Sequence, residues 1–215
     1  MRWCLPLLVA AGPALACEAP VCLVPNDSLS LSRVITFDTL PTSMGIGRDL
    51  SGIVTADGAR FGEHFAGMIR GESGSYDRFT GPPDAPLRIV PGPDRGNLGT
   101  MLLYGTTILH GHGPALFPRT EAIGEGSIAV LFDEGQAALA LDIRGGEGGT
   151  ATIRFYTRDG ALLHGIEIAG LGEAQVSFLR QGQQADIAGI LLENADPEGI
   201  GMDNLRFALE ALLGA

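Results

Sequence analysis

Residues 186–207 read DIAGILLENADPEGIGMDNLRF. Ile187, Ile190, Leu191 and Leu192 form an apolar, branched run of the kind a buried strand uses. Asn194, Asp196, Pro197, Glu198 and Gly199 then predict a turn, with proline fixing φ and glycine free to take φ > 0. From Met202 the chain becomes extended again. Regular alternation would place Asp203, Leu205 and Phe207 on one face. A carboxylate on an apolar face needs a cation, a set of donors or a place at the sheet's rim. Two strands across a tight turn are the unit of an antiparallel sheet, and the rest of the chain repeats that unit.

The chain has 215 residues, of which 32 are Gly and 13 Pro. That composition favours many short strands joined by turns over long helices. A hydrophobic content of 45% is enough to build a core and argues against disorder. Residues 32–40 predict a first strand with Ile35 and Phe37 on one face. Residues 53–65 predict a strand pair about Asp57-Gly58, a type I′ signal. Residues 101–109 predict a strand broken near Gly105. Further strands are expected at 127–132, 137–143, 151–156, 162–168 and 174–179, with Arg158-Asp159-Gly160 as a hairpin turn. Residues 70–98 are rich in Gly, Pro, Ser and Asp; only Leu87, Ile89 and Val90 look buriable there, and the stretch is expected to be a long binding or mobile loop. The spacing predicts a single antiparallel β-sandwich of jelly-roll type over 32–208, preceded by a leader over 17–31 and followed by a tail over 209–215.

The formal net charge is −11. Such a surface repels phosphate backbones and anionic lipid, so nucleic-acid and membrane-surface partners are disfavoured; neutral sugars and divalent cations are compatible with it. Residues 1–16 carry Arg2, a short apolar run from Leu5 to Ala11, and Ala14-Leu15-Ala16, the pattern of a signal peptide cleaved before Cys17. The apolar run is too short to span a bilayer. Export to the periplasm or outside the cell follows as an expectation, with lipidation of Cys17 ranked second. Cys17 and Cys22 then remain as two nearby thiols, which predicts a small disulfide loop outside the sandwich.

Few motifs carry chemistry. His110 and His112 would share a side if their segment is extended, and with an Asp or Glu could begin a metal site; two loop histidines among glycines is the favoured alternative. Glu63-His64 could supply a general acid only with a second carboxylate in reach. Gly71-Glu72-Ser73-Gly74-Ser75 lacks the last glycine of a nucleophile elbow. The glycines at 145, 146, 148 and 149 join two strands and read as a turn rather than a phosphate loop. Asp133 and Glu134 read as turn residues.

Three stretches together resemble bacterial exported jelly-roll domains: Gly124-Glu125-Gly126-Ser127-Ile128-Ala129-Val130-Leu131-Phe132; Phe155-Tyr156 with Asp159-Gly160-Ala161-Leu162-Leu163; and Gly199-Ile200-Gly201-Met202-Asp203-Asn204-Leu205-Arg206-Phe207. Ile35-Thr36-Phe37-Asp38 and Gly58-Ala59-Arg60-Phe61 are similar to the openings of such domains. Galactose-binding-like domains and carbohydrate-binding modules are relatives by fold. The resemblance implies a structural Ca²⁺ where first and last strands meet, with Asp203 and Asp38 as its carboxylates. A donor-capped Asp203 is the alternative. The reading as a whole is an exported, non-catalytic binding or structural protein whose partner is a glycan or an extracellular protein; the alternative is a secreted hydrolase acting on polysaccharide through Glu63 or an acid of the 70–98 stretch.

Overall fold

The structure is a computed structural model that describes residues 18–210. Its strands are, in order, β1 (Val21–Val24), β2 (Leu31–Ile35), β3 (Arg48–Leu50), β4 (Val54–Ala56), β5 (Ala59–Gly62), β6 (His64–Phe65), β7 (Ile69–Ser73), β8 (Tyr76–Thr80), β9 (Ile89–Val90) and β10 (Leu98–Leu103). There follow β11 (Thr106–His112), β12 (Ile123–Gly126), β13 (Ile128–Gln136), β14 (Ala138–Gly145), β15 (Thr150–Tyr156), β16 (Leu162–Ala169), β17 (Ala174–Arg180), β18 (Ile187–Ala195) and β19 (Ile200–Leu209). Only three short 3₁₀ turns interrupt them among the described residues.

The larger sheet runs β1-β17-β14-β19-β11-β10-β3, with β12 on β11 and β2 on β19; the smaller runs β16-β15-β18-β13-β5-β4. Every ladder is antiparallel. The two sheets face each other across a core in which Phe155 of the smaller meets Phe178 of the larger at 5.1 Å between ring centroids, and Phe132 meets Phe207 at 5.3 Å. This is the antiparallel β-sandwich that the strand spacing predicts.

A second core lies on the outer face of the smaller sheet. There Ala129, Leu131 and Leu191 are covered by Phe65, Met68, Phe79, Leu87 and Ile89. The run on β18 is thereby explained: Ile190 and Leu192 point into the first core, Leu191 into the second. A strand buried on both faces needs no polar alternation.

Five expectations are corrected. The 70–98 stretch is not structureless: Tyr76 to Thr80 pairs with Ile69 to Ser73 around Gly74-Ser75, and β9 pairs with β6. Its polar, glycine- and proline-rich composition hid Phe79, which is 2% exposed. The leader is part of the sandwich, because β1 pairs with β17 and Val21 is buried. Cys22 therefore sits on a sheet strand beside Leu179, while Cys17 and the signal segment lie outside the described residues. The turn at Asp57-Gly58 has only Gly58 at positive φ, so it is not type I′; Tyr104-Gly105, where a broken strand was expected, has φ of 51° and 88° and closes the β10–β11 hairpin.

The fifth correction concerns Asp203. Ala140 pairs with Arg206 but Asp142 with Asp203, so Asn204 and Leu205 together oppose Leu141. This β-bulge, with Asn204 at φ 44°, inserts one residue and reverses the alternation. Ile200 and Met202 point into the core before it, Leu205 and Phe207 after it. Asp203 thus lies on the outer face with its cross-strand partner Asp142, not with Leu205 and Phe207.

Candidate functional site

The outer face of the larger sheet carries a groove of about 350 Å³. Met101 and Leu103 from β10 and Ile108 from β11 make its apolar floor, beside Ile200 and Gly201 of β19. Gly201 is required there: a Cβ on it would stand 2.4 Å from Ile108 Cδ1. Tyr104, at the hairpin tip, projects beside the groove and is 85% exposed. Glu147 and Glu198, both exposed, come from two loops at the opposite rim, and Arg144 forms a wall.

Both rim loops are built on one buried residue. Asp196 is 0% exposed. Its carboxylate accepts the backbone N–H of Glu147 at 2.8 Å, of Gly149 at 2.6 Å and of Glu198 at 3.0 Å. The glycines at 145–149 are thus a turn, as read from the sequence, and the turn exists to close around a carboxylate. A Cβ on Gly149 would stand 2.6 Å from Asp196 Cα, so only glycine allows that approach.

The Arg144 wall is fixed by anions. Its guanidinium lies 2.6 Å from Glu173 Oε2, 3.2 Å from Asp142 Oδ2 and 3.6 Å from Asp203 Oδ2. Burial pushes the Asp142 carboxyl up, but hydrogen bonds from Arg206 and Asn204, with the charges of Arg206 and Arg144, outweigh it and hold the group below its usual range.

The structure does bring Asp38 and Asp203 together. Strand β2 ends at Ile35, which frees Asp38 to turn back. Thr106 Oγ1 lies 3.4 Å from Asp38 Oδ1 and 3.1 Å from Asp203 Oδ2. Asp38 also accepts the Thr107 N–H at 3.0 Å. Asp203 accepts the Asn204 backbone N–H at 2.8 Å and its side-chain amide at 3.1 Å. The pair supplies two hard oxygen ligands of the kind calcium takes, together with donors and an Arg144 charge that a cation would have to displace.

His110 and His112 share one side of β11, as an extended segment requires, with ring centroids 5.0 Å apart. They are on a strand rather than a loop, and both are fully buried. Burial pushes His110 down to about 3, with the His112 charge adding to the effect, and burial pushes His112 down to about 4. Both are neutral imidazoles at ordinary pH. Among the described residues no three His, Cys, Asp or Glu side chains are arranged to hold a metal ion.

Glu63 does find its second carboxylate, and it comes from the 70–98 stretch. Arg70 bridges Asp77 Oδ1 at 2.9 Å and Glu63 Oε1 at 3.3 Å. His64 Nδ1 is 3.0 Å from Glu63 Oε2. Both acids are 1% exposed, so the pair opens onto no cleft. Paired acids of glycoside hydrolysis stand about 5–10 Å apart at a surface, unlike this contact pair. Asp133, placed near the end of β13, lies 3.9 Å from Arg60.

Tyr104, Arg144, Glu147 and Glu198 were missed in the sequence. The signal available was an aromatic beside glycine between two strands; the rim acids carried none, because their loops meet only in the fold, through the Gly145–Ile200 pairing and the Asp196 carboxylate. No protein-family model matches this chain, and no curated protein matches it. Among the described residues no helix is long and apolar enough to cross a membrane. Fold and groove define the class: an antiparallel β-sandwich with a polar-rimmed groove on the outer face of its larger sheet.

Proposed function

We propose that this chain is an exported, non-catalytic binding protein that holds a hydroxyl-rich saccharide in the groove beside Tyr104. The observation that carries the reading is the groove's make-up. An exposed tyrosine ring stands next to an aliphatic floor, where the apolar face of a sugar can stack. Across it, Glu147 and Glu198 offer acceptors for hydroxyl hydrogens. A chain charge of −11 favours a neutral ligand over an anionic one. The resemblance to exported jelly-roll domains agrees with this class. A glycan array followed by calorimetry tests it. Tyr104→Ala is expected to weaken binding about fivefold or more, since truncating an aromatic anchor of a binding surface costs on the order of 1 kcal/mol or more. No glycan retained on the array, or binding indifferent to Tyr104→Ala, would overturn the reading.

The two rim carboxylates support a second reading, a hydrolase acting on polysaccharide. Release of reducing ends from a bound glycan, lost in both Glu147→Gln and Glu198→Gln, would replace the first.

Export and calcium are separable proposals. Secreted or periplasmic material is expected to begin at Cys17 and to weigh two hydrogens less than its reduced form, through a Cys17–Cys22 disulfide; intact mass measurement decides, and a diacylated Cys17 would make it a lipoprotein. Because Cys22 lies on β1, that bridge would fasten the edge of the larger sheet. For calcium, the convergence of Asp38 and Asp203 on Thr106 is the support. Ca²⁺ at about 100-fold its dissociation constant would add about 2.7 kcal/mol, EDTA would lower Tm by several degrees, and Asp203→Asn would remove the response. A Tm indifferent to EDTA, with no metal by elemental analysis, leaves two hydrogen-bonded carboxylates.

A further inference from the structure

The β7–β8 hairpin forms a two-stranded sheet of its own, apart from both main sheets. One end is anchored firmly. Phe79 enters the second core, its N–H donates to Glu193 Oε1 at 2.8 Å, and its carbonyl accepts from Arg154 at 2.7 Å. The remaining contacts rest on acids that lack a proton's worth of pairing. Asp77 Oδ1 accepts Nε and Nη2 of Arg70, but Asp77 Oδ2 and Glu63 Oε1 have no hydrogen-bond partner. The two carboxylates are held to one guanidinium, with Arg70 Nη2 2.9 Å from Asp77 Oδ1 and 3.3 Å from Glu63 Oε1. Two buried carboxylates that share one cation repel each other, and a proton on one of them relieves the charge.

A second such acid lies under the hairpin's turn. Glu125 on β12 is 6% exposed and its Oε2 has no partner. A Cβ placed on Gly113 would be 2.6 Å from Ser75 O and 2.7 Å from Glu125 Cβ, so the turn sits against this residue. The adjoining Tyr76 feels the charges of both Glu125 and Asp196.

We propose that the β7–β8 hairpin is a pH-responsive flap, closed over two proton-holding carboxyl groups, Asp77 and Glu125, and loosened as those protons leave. The charged groups that face them are Glu63 and His64 beside β5 and β6, Arg70 on β7, Arg78 on β8, the Arg154–Glu193 pair, and Asp196. One cation, Arg70, is shared between Glu63 and Asp77, so the second negative charge has none of its own. Burial first, then the Glu63 charge, against the lowering influence of Arg70, leaves Asp77 raised to about 6. Burial, then the Asp196 charge, raises Glu125 to about 7. Both values exceed the ordinary 3.8 and 4.5. The closed hairpin therefore binds protons that the open form releases. Its stabilisation is complete below those ordinary values and is lost as pH rises through about 6 and about 7. His110 and His112, on β11 just before Gly113 where the hairpin turn and Glu125 meet, act with the opposite sign, weakening the fold as pH falls below 6.5.

Amide hydrogen exchange of the full exported chain, corrected for intrinsic rates, tests the flap. Between about pH 5 and about pH 7.5, protection of 69–80 relative to 187–195 is expected to fall by about tenfold from Asp77 alone, and further from Glu125. Asp77→Asn keeps an acceptor for Arg70 and gives Glu63 a permanent donor; Glu125→Gln is the matching change at the second site. Each is expected to reduce the pH dependence, and the double variant to remove it. Equal protection at both pH values in the parent chain, or a dependence that survives in Glu125→Gln and the double variant unchanged, overturns the proposal.

Discussion

Asp196→Ala is expected to lower stability by about 3 kcal/mol or more and to abolish ligand retention in the groove. The carboxylate accepts three backbone N–H groups from two loops. Each buried donor left unpaired costs about 1–3 kcal/mol, and these are partly buried, so the lower end of the range applies to each. For a domain of this size that corresponds to a fall in Tm of about 6–12 °C. The effect on the groove is separate. Asp196 ties 145–149 to 196–199, alongside the Gly145–Ile200 pairing and the backbone bonds of 148 and 149 to Leu171, so its loss is expected to loosen the positions of Glu147 and Glu198. Thermal melts with calorimetric binding check both parts. A variant that melts near the parent temperature would mean that water satisfies these N–H groups, and that the rim loops are positioned by their glycines alone.

The second large effect is expected from Phe65→Ala, at about 3–5 kcal/mol. Phe65 is 0% exposed, packs edge-on against Tyr156 at 5.5 Å, and fills the space that Gly189 leaves open. A Cβ on Gly189 would lie 2.8 Å from Phe65 Cζ. Loss of the ring removes the centre of the second core, so the cover formed by β6, the β7–β8 hairpin and β9 is expected to open before the sandwich does. Urea unfolding followed by exchange at 69–80 and at 138–145 separates the two. Protection lost together in both segments would show that the second core is not an independent unit.

These two residues also mark the limit of sequence reading. The alternations at 137–143 and 151–156 were legible because side chains alternate on a strand and the sandwich takes the larger ones into its core, and 127–132 and 162–168 were legible as strands between turns; every one of these strands is present. The run at Ile190, Leu191 and Leu192 was legible as buried. What buries its second face was not, because that cover is a polar, glycine-rich segment whose few apolar residues, Phe65, Phe79 and Leu87, gain meaning only by meeting.

The position of Asp203 shows the same limit more sharply. Strict alternation assigns it to the face of Leu205 and Phe207. A single extra residue at Asn204 reverses the assignment, and that bulge is decided by pairing with β14, far away in sequence. Composition and local alternation determined that this chain is an all-β protein, where most of its strands lie, and some of the turns that connect them, such as Arg158-Asp159-Gly160, since these depend on nearest neighbours. The groove, the Asp196 cradle, the Glu63–Asp77 contact and the face on which Asp203 lies were decided by tertiary structure alone. Each depends on backbone segments tens of residues apart coming within hydrogen-bond distance, and no local propensity encodes such a meeting.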